Sequence, residues 1–138
     1  MTSVDVPIMA GGGVADRAAV AEVLARGASA ALVGTAYLLA DEAGTNPVLR
    51  AALADPAFST TELTRAFTGR WARGLANRFM AEHADAPAGY PHLHHVTAPL
   101  RAAAVAAGDP QVLHLWAGTG HRHAQAQPAR EITRSLAP

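Results

Sequence analysis

Cysteine and lysine are both missing from this sequence, and each absence closes a class of chemistry. Without cysteine there is no disulfide framework and no thiolate metal site. Without lysine there is no Gly-Lys-Ser/Thr phosphate loop. Charge of either sign is also in balance: eleven arginines face eleven acidic residues, for a formal net charge of zero. A neutral chain has no bulk attraction for nucleic acid or an acidic membrane, so neither is expected as a partner. No apolar run approaches the ~18 residues of a membrane span. Met1–Ala10 has no basic flank before an apolar stretch of the kind a signal peptide shows, so a cytoplasmic protein is expected.

What remains is 138 residues, half of them apolar, enough for one small domain. Val4–Ala10, "VDVPIMA", has the length and apolar density of a strand buried on both faces. Three glycines follow, Gly11, Gly12 and Gly13. A helical pattern then begins at Asp16, a good N-cap, and stops near Gly27. Ala30–Val33 reads as a second strand, closed by Gly34 and Thr35, before another helical start. This βαβα order demands parallel neighbours joined by a crossover.

From Asn46 onward the pattern predicts helices. Asn46 caps a helix that has Pro47 at its first position and ends at Pro56. "ARGLANRFMAEHAD" carries Leu75, Phe79 and Met80 at helical spacing, and "APLRAAAVAAGDP" starts at Pro99 and stops at Gly108. Ser59–Gly69 is ambiguous between strand and loop, and "ADAPAGYPHLHH" reads as a loop. The expected organisation is a single partial domain, with two βα units over residues 1–45 and a mostly helical extension over 46–138.

The glycines pose the functional question. Parallel strands place the loops after them at the same sheet edge, where backbone N–H groups and helix N-termini favour an anion. A dinucleotide fingerprint is disfavoured: Asp16 stands where glycine or alanine is required, and Gly34 and Thr35 where an acid is. In a (β/α)8 barrel the phosphate commonly lies between the loops after the last two strands, which would employ both glycine pairs. The residues alone leave this reading open beside a plainer one, in which the glycines only make tight βα turns.

Five stretches resemble the C-terminal part of the nitronate monooxygenases: "VPIMAGGGVAD", "GASAALVGTAYLLADE", "LTRAFTGRWARGLANRF", "YPHLHHVTAPLRAAA" and "LWAGTG". The first two are shared with flavin-type enoyl reductases. The resemblance implies an α/β fold: the last two βα units of an FMN-binding (β/α)8 TIM barrel, followed by C-terminal helices. It implies FMN as cofactor and an alkyl nitronate as small-molecule substrate, oxidised with O2. The cofactor-binding role falls on Gly11, Gly12, Gly13, Gly34 and Thr35, with Gly11 where alanine is usual. Leu32 stands where the family commonly has glutamine, and Thr119 likewise. The catalytic histidine of the family lies on an earlier strand with no counterpart here, so no catalytic residue is assigned. Self-association, or pairing with a missing N-terminal part of the barrel, is expected. An enoyl reductase relative and an inactive anion-binding remnant are the alternatives.

Two other clusters invite function. "HLHH", His92–His95, and "HRH", His121–His123, suggest a metal, but no cysteine or obvious carboxylate joins them, and structural, solvated histidines with no metal are expected. Arg65, Arg70, Arg73 and Arg78 surround Trp71, a pattern able to clamp an anion or stack on a base. Capping of helix carbonyls and pairing with Glu62 and Glu82 is the expectation.

Overall fold

The computed structural model describes residues 5–138, so Val4, where the first expected strand begins, lies outside the described residues. Tertiary contacts divide the chain into two units. One comprises the chain up to Gly44 together with Gly120–Pro138, and the other is Thr45–Thr119.

In the first unit, β1 (Met9–Gly11) and β2 (Ala30–Leu32) pair in parallel, with Met9 opposite Ala30, Ala10 opposite Ala31 and Gly11 opposite Leu32. Helix α1 (Arg17–Ala25) makes the crossover between them. Asp16 caps it as the sequence indicated, its Oδ1 accepting the Ala19 N–H at 2.8 Å, and Gly27 follows it with φ +96°. The first strand is shorter than expected. Pro7 has no N–H to give, and β2 offers only three residues to pair with. Beyond Gly34 the chain enters a single 3₁₀ turn, Thr35–Tyr37.

The C-terminal helix α6 (Ala129–Leu136) belongs to this unit, although the sequence pattern grouped it with the extension. The reason is its apolar stripe. Ile132 and Leu136, four residues apart, join Val14, Val20, Ala36 and Ala40 in one buried cluster. Two polar contacts support it: the Glu42 carboxylate accepts the Ala129 N–H at 2.8 Å, and Tyr37 Oη lies 2.8 Å from Thr133 Oγ1. The hydrogen bond from Ala129 is the main reason the Glu42 carboxyl titrates below its ordinary range.

The second unit begins with α2 (Pro47–Ala54), capped by Asn46, whose Oδ1 accepts the Val48 N–H at 2.8 Å. The ambiguous segment resolves into β3 (Thr61–Thr64) and a turn, and β3 pairs antiparallel with β4 (Ala72–Leu75). The helix expected over "ARGLANRFMAEHAD" is therefore cut to α3 (Arg78–Glu82). Asn77 makes the cut. Its backbone is extended, its Oδ1 accepts the Met80 N–H at 3.1 Å, and its Nδ2 donates to the carbonyls of Pro110 and Leu113 at 2.9 and 2.7 Å. Leu75 N–H donates to the Leu115 carbonyl at 2.8 Å, so tertiary pairing outweighs the helical spacing of Leu75, Phe79 and Met80.

Part of the expected loop is helical too, as α4 (His92–Val96), followed by α5 (Ala98–Ala107), which Gly108 ends in the left-handed region. Phe67, Leu75, Leu113 and Leu115 form the fully buried centre. The Phe67 ring stacks on Phe79 at 4.8 Å and meets Trp116 edge-on at 5.7 Å. Among the described residues, no helix is long and apolar enough to cross a membrane.

Candidate functional site

The site is built on the first unit, where the register of β1 and β2 brings two loops out of one sheet edge. Gly11 stands opposite Leu32, so Gly12–Gly13 and Gly34–Thr35 leave the sheet side by side. Gly11 has a packing reason to be glycine: a Cβ there would come within 3.1 Å of Leu32 Cβ. Gly12 and Gly13 adopt φ of +94° and +75°, values that side chains resist. A Cβ added at Gly12 or Gly34 would meet nothing within 4 Å. Packing thus accounts for Gly11 and leaves Gly12 and Gly34 facing open space, the arrangement an approaching ligand needs.

Not every expected anion-binding element is available. The start of α1 is already occupied by the Asp16 carboxylate, which has His123 Nδ1 at 3.7 Å. That carboxylate takes up a helix N–H and repels an anion, so N–H donors for one must come from the loops themselves. The residues after the two loops, Ala15 and Ala36, line a cavity of about 270 Å³ with Arg17, His123 and Gln127 among its polar walls.

The "WAGTG" stretch ends against the same loop. Gly120 packs on Ala15, with Gly13 O at 3.8 Å from the position a Cβ would take, so only glycine fits. The neighbouring His121 departs from the expectation of solvated histidines. It is 5% exposed, and both ring nitrogens are buried without a hydrogen-bond partner among the described residues. His92, His95 and His123 are exposed, and no group of three or more metal-ligating side chains is assembled among the described residues.

In the second unit the four arginines part company. Arg78 Nη1 pairs with Glu82 at 3.2 Å and Arg73 Nη1 donates to the Thr61 carbonyl at 2.9 Å, as an unremarkable surface would have it. Arg65 and Arg70 instead lie over aromatic rings, 4.3 Å from the Trp71 centroid and 4.0 Å from the Tyr90 centroid. Sequence reasoning raised stacking but had no means to choose which arginines do it. Nearby, Arg101 Nη2 donates to the His94 carbonyl at 2.7 Å and lies 3.2 Å from His94 Nδ1. Burial, then the charges of Arg101 and His94, push His114 down from 6.5 to about 4. Its imidazole is therefore neutral near pH 7.

A family model described as nitronate monooxygenase matches residues 1–138. A "Probable nitronate monooxygenase" of Staphylococcus aureus (strain Newman) is 34% identical over 137 residues, covering 96% of this chain and 38% of the relative. The crystal structure of nitroalkane oxidase from Streptomyces ansochromogenes superposes with a TM-score of 0.93 at 53% identity, over 96% of this chain and 39% of that one. A FabK mutant from Thermotoga maritima superposes with a TM-score of 0.71 at 25% identity, over 97% of this chain and 40% of its own. The chain spans about two fifths of the length of these relatives.

Proposed function

Because the chain belongs to the nitronate monooxygenase family, we propose that it supplies the phosphate-anchoring end of an FMN-dependent (β/α)8 barrel that oxidises alkyl nitronates with O2. The observation that carries this reading is the pair of open glycine loops at one edge of β1–β2. Gly12 and Gly34 leave room where a side chain would sit, and the backbones of Gly12, Gly13, Gly34 and Thr35 converge from adjacent parallel strands. These residues fit a phosphate monoester, with Gly11 allowing the strand approach that sets the two loops together. FMN, when bound, supplies the electron transfer from the substrate carbanion to O2.

The share of this chain is to bind and orient. A phosphate anchor holds ground state and transition state alike, so by itself it lowers no chemical barrier. No residue here is assigned as the base. Val6, Ile8, Met9 and Leu32 are exposed on and beside a sheet that, among the described residues, has two strands and open edges. In the proposed barrel, further strands cover these residues and supply the rest of the flavin pocket. A cytoplasmic setting goes with this reading. The FabK likeness favours a second reading, a flavin-type enoyl reductase, which NAD(P)H oxidation coupled to an enoyl substrate would reveal.

The test compares FMN with riboflavin, which lacks the phosphate. FMN should bind the chain more tightly by about tenfold or more, the scale of charge-assisted hydrogen bonds to a phosphate. Gly34→Val should remove that advantage while leaving riboflavin binding unchanged. Equal FMN affinity in Gly34→Val and the parent would defeat the assignment.

A further inference from the structure

We propose that the second unit carries a nucleotide-binding platform, made by Trp71 and Tyr90 with the two arginines stacked on them. The hairpin register creates its first half. Thr64 and Ala72 are the last paired residues of β3 and β4, so Arg65 and Trp71 flank the turn on opposite strands and their side chains meet. A close backbone approach creates the second half. Gly69, with φ +80°, lies so near Gly89 and Tyr90 that a Cβ would come within 2.5 Å of their backbone, and the next residue, Arg70, reaches over the Tyr90 ring.

The surface left by this arrangement is unusual in what it lacks. Neither the Arg65 nor the Arg70 guanidinium has an oxygen partner among the described residues, whereas those of Arg73 and Arg78 do. A guanidinium lying on a ring keeps its N–H donors at the edge, where they suit the oxygens of a phosphate. Trp71 is 59% exposed and Tyr90 50%, so each ring retains accessible surface beside its arginine. Accessible aromatic surface takes a planar heterocycle, and unpaired guanidinium edges take a phosphate. A nucleoside diphosphate has both. A nucleic-acid strand is a poorer match, because strand binding draws on many cations and this chain has no net positive charge. The platform lies wholly within the second unit.

The test is calorimetric titration of the full chain with ADP, alongside adenosine, pyrophosphate and a short oligothymidylate. ADP should bind saturably, and adenosine and pyrophosphate alone about tenfold or more weakly, since each lacks one half of the recognition. Trp71→Ala, which removes one stacking surface, should weaken ADP about tenfold. Arg70→Lys keeps the charge but loses the planar fork, and should also weaken it, with Arg130→Lys unchanged. Both substituted positions are exposed, and unaltered circular dichroism would establish that the variants fold. Absence of saturable ADP binding at millimolar concentration, or full ADP affinity in both variants, would overturn the proposal. Tight oligothymidylate binding that ADP fails to compete would overturn it as well, in favour of a single strand as the occupant.

Discussion

The two units differ in how completely they cover their own apolar surface. The second buries Phe67, Leu75, Leu113 and Leu115 almost fully and locks Phe67 among Phe79, Trp116 and His114. The first builds its core from smaller groups, Val14, Val20, Ala36 and Ala40 with Ile132 and Leu136, and leaves Met9 70% and Leu32 63% exposed. A three-residue parallel pair with both edges unpaired among the described residues is an incomplete layer, since parallel sheets are normally buried on both faces. Core packing is thus concentrated in the second unit and the open glycine positions in the first. The unit with the glycine loops is the open one, and the other covers its apolar core more completely.

Glycine substitutions should break this contrast most sharply. Gly69→Ala would place a Cβ 2.5 Å from the Gly89 and Tyr90 backbone at a position already at φ +80°. Neither backbone is a flexible side-chain tip able to swing away, so the turn between β3 and β4 must rebuild. Loss of the cooperative unfolding transition of the second unit is expected, checked by near-ultraviolet circular dichroism of its aromatic cluster.

Next in size is Asn77→Ala, which removes three hydrogen bonds at a buried position and strands the carbonyls of Pro110 and Leu113. A loss of about 2–4 kcal/mol is expected. The corresponding change in the first unit, Asp16→Ala, removes one half-buried cap and should cost about 1 kcal/mol. Urea denaturation of both variants gives the comparison directly, and equal losses would erase it.

A smaller effect follows from His114. Its pKa is depressed from 6.5 to about 4 by burial first and then by Arg101 and His94, so the folded state takes up its proton later than the unfolded chain. Stability from this group is therefore full above about pH 6.5, falls as pH drops toward 4, and levels off below. Partial exposure screens the effect to about 1 kcal/mol. In His114→Gln the slope of urea midpoint against pH should flatten between 6.5 and 4.

How far these features were legible in the sequence depends on whether the signal was local. Asp16, Asn46 and Gly108 announce helix ends through their own chemistry, and all three do what their residue types suggest. The β4 strand was not legible. Leu75, Phe79 and Met80 have helical spacing, and only the non-local bonds of Leu75 to Leu115 and of Asn77 to Pro110 and Leu113 select a strand followed by a short helix. Helix α6 escaped notice for a related reason, since its two buried anchors, Ile132 and Leu136, have meaning only beside Val14 and Val20. At the candidate site, the glycines were visible as a pattern. What the pattern withheld was the division of labour, with Gly11 packed on Leu32 while Gly12 and Gly34 face open space.

The smallest expected effect on stability belongs to Gly12→Ala, and it is the partner of Gly69→Ala. Both glycines have positive φ, +94° and +80°, so conformational strain alone would predict similar losses. They differ in surroundings: nothing lies within 4 Å of a Cβ at Gly12. Alanine there meets only the left-handed penalty of roughly 1–2 kcal/mol, offset by the about 0.4–1 kcal/mol gained when the unfolded chain loses glycine freedom. A net loss of about 1 kcal/mol or less is expected by urea denaturation. FMN binding should respond in the opposite proportion, because the new methyl group occupies the space proposed for phosphate while riboflavin has no need of it. A large stability loss with unchanged FMN affinity would mean that Gly12 serves the turn and nothing else. The plain structural reading of the glycine run would then be the correct one for this loop.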